Sequence, residues 1–468
     1  MGDASPSEAV PATLESSDAA TPLPAEALNT AMGDAAPSEA APAALELPAE
    51  ATPLADEKKV DGLAPPPSLR IFSGCFVALF TAFLVLQQFL TSVLGTTGFW
   101  VLVAIYGAFF AGALVSPSVC RRLGLKASMV ASAAAYATLH VVVAAAADGR
   151  APGACAVAAG GACGVGAAVL WTAQGAYCAA VERRDGFAVE RCQSYFWGRF
   201  STAGCFGFGA ALLLIAGAGL GAVAVLWAAA VASWAAVAVF AAALPPLAAS
   251  DDAADDVALG EKLARTLALF SRRDVQLKAA SFVHLGAQEG LYWGCVTARM
   301  SPALIATSFV VHGALSASCC VATGRDWRGA PAEAKALALA GVSVAGLAAT
   351  AAGLARDESE SSAASAGGLL LLVGTACFGL SDFPAHSLLR GSVGRAFHGS
   401  PLLEASMANV IFCLTVGNIA FFVAGPLVDP VRQALAVLAL GLLSAGGLVV
   451  SMARAPPPAA AVALPLHK

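Results

Sequence analysis

The chain has 468 residues, of which 58% are hydrophobic and only 12% are charged. Soluble proteins carry roughly 25% charged residues on their water-facing surfaces, so this composition excludes an ordinary soluble domain and predicts a chain that lies mostly in lipid. The net charge of −5 originates in the first 57 residues, which hold acidic residues but no Lys or Arg. No basic stripe with interleaved aromatic residues follows, so nucleic acid is not expected as a partner.

Residues 1–69 consist mainly of Ala, Pro, Glu, Ser and Thr in low-complexity order. The stretch that begins at Met32 repeats the order of the stretch that begins at Met1. Such a segment buries too little apolar area to offset its chain entropy. We therefore predict a disordered, acidic, cytosolic tail over residues 1–69.

Apolar runs of about 20 residues follow from Phe72 onward, and each is long enough to cross a ~30 Å hydrocarbon core as a helix. The expected fold class is an all-α membrane protein with twelve transmembrane helices in two six-helix halves, like the major-facilitator transporters. The predicted spans are 72–93, 98–119, 127–147, 154–181, 195–217, 222–244, 278–298, 303–323, 334–354, 367–389, 404–425 and 430–452.

A long connection divides these spans into two equal sets. We predict an N-terminal half over residues 70–244, a cytosolic inter-half loop over 245–277 and a C-terminal half over 278–453. The loop carries four aspartates between Asp251 and Asp256. Residues 454–468 form a second cytosolic tail in this prediction.

The positive charges test the span count. Lys and Arg gather on the cytosolic side of membrane proteins, and alternate connections should share one side. Twelve spans place 21 Lys and Arg on the side of the termini and four on the other, with Arg199 at a helix mouth. This asymmetry predicts an integral multi-pass protein with the lipid bilayer as its environment and both termini in the cytosol.

Several short motifs occur in order along the spans. They are Phe80-Thr81-Ala82-Phe83, Ser116-Pro117-Ser118, Leu170-Trp171-Thr172-Ala173-Gln174-Gly175-Ala176-Tyr177, Phe196-Trp197-Gly198, Gly379-Leu380-Ser381-Asp382 and Glu404-Ala405-Ser406-Met407-Ala408. This ordered set resembles the Unc-93-like (uncoordinated-type) family, a branch of the major facilitator superfamily. Two features depart from the wider pattern: Arg121 stands where the facilitator loop motif has Asp, and Phe383-Pro384-Ala385 replaces a Trp-Gln pair.

The resemblance implies a function unusual for this fold. Animal members of the family are known as regulatory subunits of potassium channels or as trafficking chaperones of other membrane proteins, and plant members are linked to potassium homeostasis. The resemblance thus implies a channel or another membrane protein as the partner. The two-half architecture keeps open the alternative of a secondary transporter that moves a small ion or solute by alternating access, because fold alone does not decide function.

Ionisable residues inside the bilayer are expensive, so each is a functional candidate. Asp382 and His386 lie one helical turn apart and could share a proton or bind a cation, unless Asp382 only caps a helix that restarts at Pro384. Glu289, flanked by glycines in the seventh span, could line a cavity or coordinate a cation. Its alternatives are a buried carboxylate bonded to a neighbouring helix or an exposed helix end.

Uncharged and peripheral residues complete the candidate set. Gln174 is a candidate for the cavity or ion site, with a hydrogen bond between helices as its alternative role. Trp171 and Tyr177 belong either to a cavity lining or to an interfacial anchor. The candidates for gating or for fixing topology at the cytosolic helix mouths are Arg121, Arg122, Lys126, Arg199 and Glu404.

No Walker sequence, zinc-ligand spacing or nucleophile elbow occurs in the chain. The sequence therefore predicts no catalytic residues, no metal site and no cofactor, and it argues against an enzyme. The twelve cysteines are scattered through apolar runs, where Cys acts as a small packing residue.

Overall fold

The structure is a computed structural model, which describes residues 64–187, 189–247, 259–323, 330–356, 365–396 and 403–454. All regular elements in these ranges are helical. Most of the predicted N-terminal tail, residues 455–468 and the Asp251–Asp256 segment lie outside the described residues. The predicted domain boundaries remain predictions.

The first six spans form eight helices. In chain order these are α1 (Pro67–Leu94), α2 (Thr96–Ala113), α3 (Ser116–Leu123), α4 (Leu125–Ala147), α5 (Gly153–Asp185), α6 (Val189–Phe200), α7 (Thr202–Leu212) and α8 (Ala222–Ala243). The predicted span 98–119 was too long: the helix stops at Ala113, and Pro117 begins a separate short helix, since proline suits a first turn. The span after α6 continues beyond α7 as a π-helical turn, Leu213–Gly217.

The second half begins with a helix that was not predicted. Helix α9 (Leu259–Ala268) lies within the segment expected to be a loop. The remaining helices are α10 (Arg273–Gly290), α11 (Pro302–Thr323), α12 (Ala332–Leu354), α13 (Ala366–Ala396), α14 (Leu403–Ala424) and α15 (Pro430–Arg454). Between α10 and α11 the chain passes through a π-helical turn, Leu291–Val296, and a short 3-10 turn, Thr297–Arg299.

Eleven helical segments among the described residues are long and apolar enough to cross a membrane, with Arg191–Gly217 (α6, α7 and the π-helical turn) counted as one. This confirms an integral multi-pass protein and agrees roughly with twelve spans. The predicted seventh span coincides with α10 and the turns that follow it. It is absent from the eleven because α10 carries four charged residues, Arg273, Asp274, Lys278 and Glu289. The helix is present, but its four charged residues make it too polar to be recognised as a membrane span from its composition.

The two halves pack their helices in the same order. In the first half, α2 packs on α5, α5 on α4, α4 on α8, α8 on α1 and α1 on α7. In the second half, α11 packs on α13, α13 on α12, α12 on α15, α15 on α10 and α10 on α14. Each pair corresponds to its counterpart six spans later, which is the parallel repeat of the major-facilitator fold. The halves meet where α2 packs on α14 and α7 on α11.

Glycines permit the closest of these approaches, and they recur at corresponding positions. Gly164 of α5 lies against the Ile105 carbonyl of α2, and Gly379 of α13 lies against the His312 carbonyl of α11. Gly207 meets α1 and Gly417 meets α10 in the same manner, at Thr81 and Val283 respectively. Small residues commonly allow such contacts between membrane helices, so the repeat extends to the residue register.

We expect Gly164→Ala to destabilise the first half, because its new methyl group would collide with the Ile105 backbone. Overpacking of this kind costs about 1–3 kcal/mol. Gly161→Ala on the same helix is the matched control, because nothing lies within 4 Å of its Cβ position. Thermal unfolding in detergent, followed by size-exclusion chromatography, checks this. Equal melting temperatures for the two variants would contradict the packing described.

Candidate functional site

Three ionisable side chains meet inside the second half. The Nε2 atom of His386 lies 3.0 Å from Oε1 of Glu289 and 3.5 Å from Oδ1 of Asp382. Glu289 is 4% exposed, Asp382 0% and His386 2%. The structure thus brings together the three residues that the sequence predicted as a cavity or ion site, and it joins α10 to α13 through them. Their function is still a prediction.

Two further polar side chains extend this group, which we call the Glu289 cluster (Glu289, His312, Asp382, His386 and Asn418). Nε2 of His312, on α11, lies 3.6 Å from Oδ2 of Asp382. Nδ2 of Asn418, on α14, donates a hydrogen bond of 2.8 Å to Oε2 of Glu289. Four helices of the second half therefore converge on the cluster.

Helix α13 places Asp382 and His386 on the same face. It runs without interruption from Ala366 to Ala396 and includes Pro384 within it. Asp382 is therefore inside a continuous helix, and the alternative that it caps a restarted helix is wrong. Membrane helices tolerate such prolines when neighbouring helices satisfy the freed backbone groups.

Glycines on either side of Glu289 bring α14 within reach. A Cβ at Gly290 would lie 2.9 Å from Cβ of Phe421 and 3.0 Å from the Asn418 carbonyl oxygen, and one at Gly286 would collide with the Leu414 carbonyl. This close approach lets the short Asn418 side chain reach the carboxylate. The π-helical turn starts directly after Gly290, and such turns are frequent at functional sites.

The first half covers the cluster with an aromatic ring. The Trp197 ring, on α6, lies nearly parallel to the His386 ring, with centroids 6.4 Å apart and an interplanar angle of 13°. Arg390, one turn beyond His386, places Cζ 5.5 Å from the centre of the same indole. Beside His312 is a narrow cavity with room for little more than a water molecule, lined also by Gln88, Trp293 and Phe383.

Several polar atoms of the cluster have no hydrogen-bond partner among the described residues. They are both carboxylate oxygens of Asp382, Nδ1 of His386, Nε2 of His312 and Oδ1 of Asn418. Leaving a buried polar group unsatisfied costs about 1–3 kcal/mol, and more when it is charged. The cluster therefore has unused capacity to bind a proton, a cation or water.

The other candidates in the spans lie outside the cluster. Gln174 donates through Nε2 to Oε1 of Gln193, 3.1 Å away, and so links α5 to α6. Trp171 stacks on Trp197 with centroids 5.5 Å apart. Tyr177 is fully buried and stacks on Phe72 at 4.3 Å. These aromatic residues pack in the interior of the first half, and Tyr177 and Trp171 do not line the cavity beside His312.

The basic residues at the helix mouths are peripheral. Arg121 and Arg122 are exposed at the end of α3, and Lys126 is half-buried at the start of α4. Arg199 is exposed and lies over the Tyr195 ring at 5.3 Å. The backbone of Glu404 belongs to α14, but its side chain lies outside the described residues. The gating or topology role of these residues is still a prediction.

His312 and Asn418 were not among the residues predicted from the sequence. Both are polar residues within predicted spans, which is the signal that selected Glu289, Asp382 and His386. Asn418 is one of only three asparagines in the chain. Because Asn418 is uncharged, its position in a span did not indicate which helix it would contact. Its spacing from other residues therefore did not select it as a candidate.

Comparisons with known proteins agree with the packing. Residues 91–301 match the family model described as "Ion channel regulatory protein UNC-93". A search of curated protein sequences returned no match.

Similar solved structures include the peptide transporter PepTSo of the POT family, with a TM-score of 0.60 at 10% identity over 84% of this chain and 98% of that one. A D-xylose–proton symporter gives a TM-score of 0.59 at 10% identity, covering 82% and 95%. The fucose–proton symporter of E. coli gives 0.52 at 14% identity, covering 82% and 98%. At these identities the likeness shows the fold alone. The family model matches residues 91–301, less than half of the chain, so the chain is similar to the UNC-93 family over that segment and shares its fold with these transporters.

Proposed function

We propose that the chain regulates an ion channel or another membrane protein by binding it, and that it does not carry a solute across the membrane. The match to a family described as ion channel regulatory proteins supports this proposal. The observation that carries it is the way aromatic side chains fill the interior of the first half.

A secondary transporter binds its substrate near the bilayer midplane, between its two repeats. The paired glycine contacts of the two halves align their helices residue by residue. In this alignment Gln87, Ala167 and Trp171 of the first half correspond to Glu289, Asp382 and His386 of the second. Trp171 belongs to a group of rings that pack against one another in the interior of the first half, with centroid distances of 4.6–6.2 Å. They are Phe76, Phe80, Phe83, Tyr136, Trp171, Phe196 and Phe200. The cluster therefore has no carboxylate or imidazole at the corresponding positions of the first half, as a continuous path for ions would require.

The loop between the second and third spans supports the same proposal. Arg121 occupies the position at which the facilitator loop motif has Asp, and it is exposed at the end of α3. Transporters use that aspartate as a charge partner in gating. Its replacement removes one component of alternating access.

We expect purified protein in liposomes to show no flux of small cations or solutes above that of protein-free vesicles. We also expect removal of the protein from its native cells to change a membrane current, and the intact chain to restore it. Voltage-clamp recording measures the current. Unchanged currents after removal of the protein, combined with saturable flux in liposomes, would overturn the proposal.

One observation favours a second candidate function, transport of a small ion or solute. The Glu289 cluster places two carboxylates and two histidines inside the membrane region, and intramembrane ionisable groups often mark ion pathways. In this case liposome flux would exist and would fall at least tenfold in Glu289→Gln and Asp382→Asn. Flux that is insensitive to both changes would exclude this candidate as well.

We further propose that both termini lie in the cytosol. Cysteine introduced at Asp255 should react with a membrane-impermeant thiol reagent only after the cells are permeabilised. Cysteine introduced at Asp148, which is exposed on the opposite predicted side, should react in intact cells. Both variants need Cys155→Ser, since Cys155 is itself exposed. The same labelling pattern at both positions would refute this topology.

A further inference from the structure

We infer that Glu289, His312, Asp382 and His386 form a binding site for a divalent transition-metal ion of the zinc class. This inference goes beyond the proposed regulatory function and does not depend on it. The four side chains offer two imidazole nitrogens and two carboxylate groups. Imidazole and carboxylate together suit Zn²⁺ and its first-row neighbours, whereas Ca²⁺ and Mg²⁺ prefer sites built from oxygen alone.

The spacing of the donor atoms fits a single ion. Zinc binds His nitrogen and carboxylate oxygen at about 2.0–2.2 Å in tetrahedral geometry, which sets neighbouring donors roughly 3.4 Å apart. Nε2 of His386 lies 3.0 Å from Oε1 of Glu289 and 3.5 Å from Oδ1 of Asp382. One donor atom from each of these three residues lies within 4.8 Å of the others. Small rotations of the side chains would bring them around one ion.

The distances from Asp382 to the two histidines favour metal ligands over a hydrogen-bonded pair. At 3.5 Å from His386 and 3.6 Å from His312, the Asp382 oxygens are beyond ordinary hydrogen-bond length. Two ligands of the same ion are expected at such a separation. Asp382 faces both histidines with different oxygens, Oδ1 toward His386 and Oδ2 toward His312. It can therefore bind with either oxygen or with both.

Unsatisfied atoms provide an independent argument. Asp382 is 0% exposed, and neither of its oxygens has a hydrogen-bond partner among the described residues. His312 is 6% exposed, and its Nε2 is likewise unpartnered as it points toward Asp382. A buried carboxylate without donors is costly. A metal ion would satisfy the carboxylate and Nε2 of His312 together.

The surroundings hold the ligands in place. Nδ2 of Asn418 bonds the carboxylate oxygen of Glu289 that does not face His386, so it orients the other oxygen toward the site. The Trp197 ring lies against His386. Outer partners of this kind orient metal ligands in known sites. A small cavity lies directly beside His312.

Arg390, Tyr106 and Cys320 are further titratable groups near the cluster, and Cys320 of α11 interacts electrostatically with Asp382. Arg390 lies one turn beyond His386, against Trp197, and Tyr106 of α2 accepts a hydrogen bond of 2.9 Å from Gln87. Sγ of Cys320 contacts Oγ of Ser201 at 3.7 Å, and none of the three belongs to the group of donor atoms within ligand distance of one another. Protons shared among the cluster residues are the alternative to a bound metal ion, and a measurement of metal content distinguishes these two explanations.

The test uses full-length protein purified in detergent, stripped with a chelator and then reloaded with Zn²⁺ or Co²⁺ alone. We expect one ion per chain by elemental analysis, and intense visible absorption from tetrahedral Co²⁺. Asp382→Asn and His386→Gln should abolish both signals. Asn418→Ala should weaken binding about 10- to 100-fold, as outer-partner changes do.

His284→Gln is the matched control, since His284 lies on α10, is 3% exposed and contacts Ser343 instead of the cluster. It should bind metal as the unmodified chain does. Absence of metal from the unmodified chain, or binding that survives Asp382→Asn and His386→Gln, would overturn the inference and leave protons as the occupants. If those variants do not fold, the stoichiometry and Co²⁺ spectrum of the unmodified chain still decide. Neither readout depends on liposome flux or membrane current, so the proposed function stands or falls separately.

Discussion

Replacing Glu289 with Ala is expected to lower the free energy of unfolding by about 3–5 kcal/mol, the cost of removing one partner from a buried ion pair. The change removes the acceptor of His386 at 3.0 Å and of Asn418 at 2.8 Å. Both remaining side chains would be left buried without that partner. Denaturation of the protein in detergent, without added metal, measures the loss.

Glu289→Gln is the control for this prediction. Glutamine keeps the shape of the side chain and one oxygen acceptor, so we expect a loss of about 1–3 kcal/mol, typical of an incompletely satisfied buried group. A loss in Glu289→Ala no larger than in Glu289→Gln would show that the contacts with His386 and Asn418 add no stability. In that case the cluster would not be the element that holds α10, α13 and α14 together.

Replacing Trp197 with Ala is expected to cost about 3 kcal/mol. Truncating a buried aromatic residue costs about 3–5 kcal/mol in water-soluble proteins, and the lower value applies because lipid is as apolar as the protein interior. Trp197 is 6% exposed and contacts the rings of Trp171, Phe200, Phe383 and His386. Its removal would leave a cavity between the halves.

Trp234→Ala is the matched control, because Trp234 on α8 is 46% exposed on the outer surface of the bundle. We expect a change within about 0.5 kcal/mol there, as for substitutions outside the packed interior. Similar losses in the two variants would contradict the position of Trp197 between the halves. Thermal unfolding of both proteins in the same detergent provides the comparison.

Much of the fold could be predicted from sequence, because lipid imposes strict requirements. A spanning helix needs about 20 apolar residues, and positive charges reveal its orientation. The breaks within spans were harder to predict. The end of α2 at Ala113 and the π-helical turn after Gly290 depend on packing between helices. Helix α9 is short and polar enough that its sequence was interpreted as part of a loop.

The candidate site could be predicted only in part. The cost of burying charge in a bilayer selected Glu289, Asp382 and His386 individually, and helical periodicity paired the last two. Periodicity within one helix gives no information about contacts between helices. The contact of Glu289 with α13, and the participation of His312 and Asn418, follow from glycine-mediated approaches between helices that are distant in sequence.

The matching order of helix packing suggests why the site is asymmetric. Two repeats with one backbone arrangement carry Glu289, Asp382 and His386 in the second half, and the uncharged Gln87, Ala167 and Trp171 at the corresponding positions of the first. A scaffold of this kind keeps the packing of a transporter, while the clustered carboxylates and imidazoles belong to the second half. That asymmetry is the structural basis of the proposal that the chain acts through a partner.

The proposed regulatory function depends on the two halves meeting as described, and one cross-linking experiment tests this directly. Oγ1 of Thr91, at the end of α1, lies 3.1 Å from Oγ1 of Thr297 in the second half. With Cys155 and Cys295 replaced by serine, Thr91→Cys and Thr297→Cys should form an intramolecular disulfide on mild oxidation. Ser92→Cys with Thr297→Cys should not, because Ser92 is exposed. Failure of the first pair to cross-link, or equal cross-linking of the second, would contradict the arrangement.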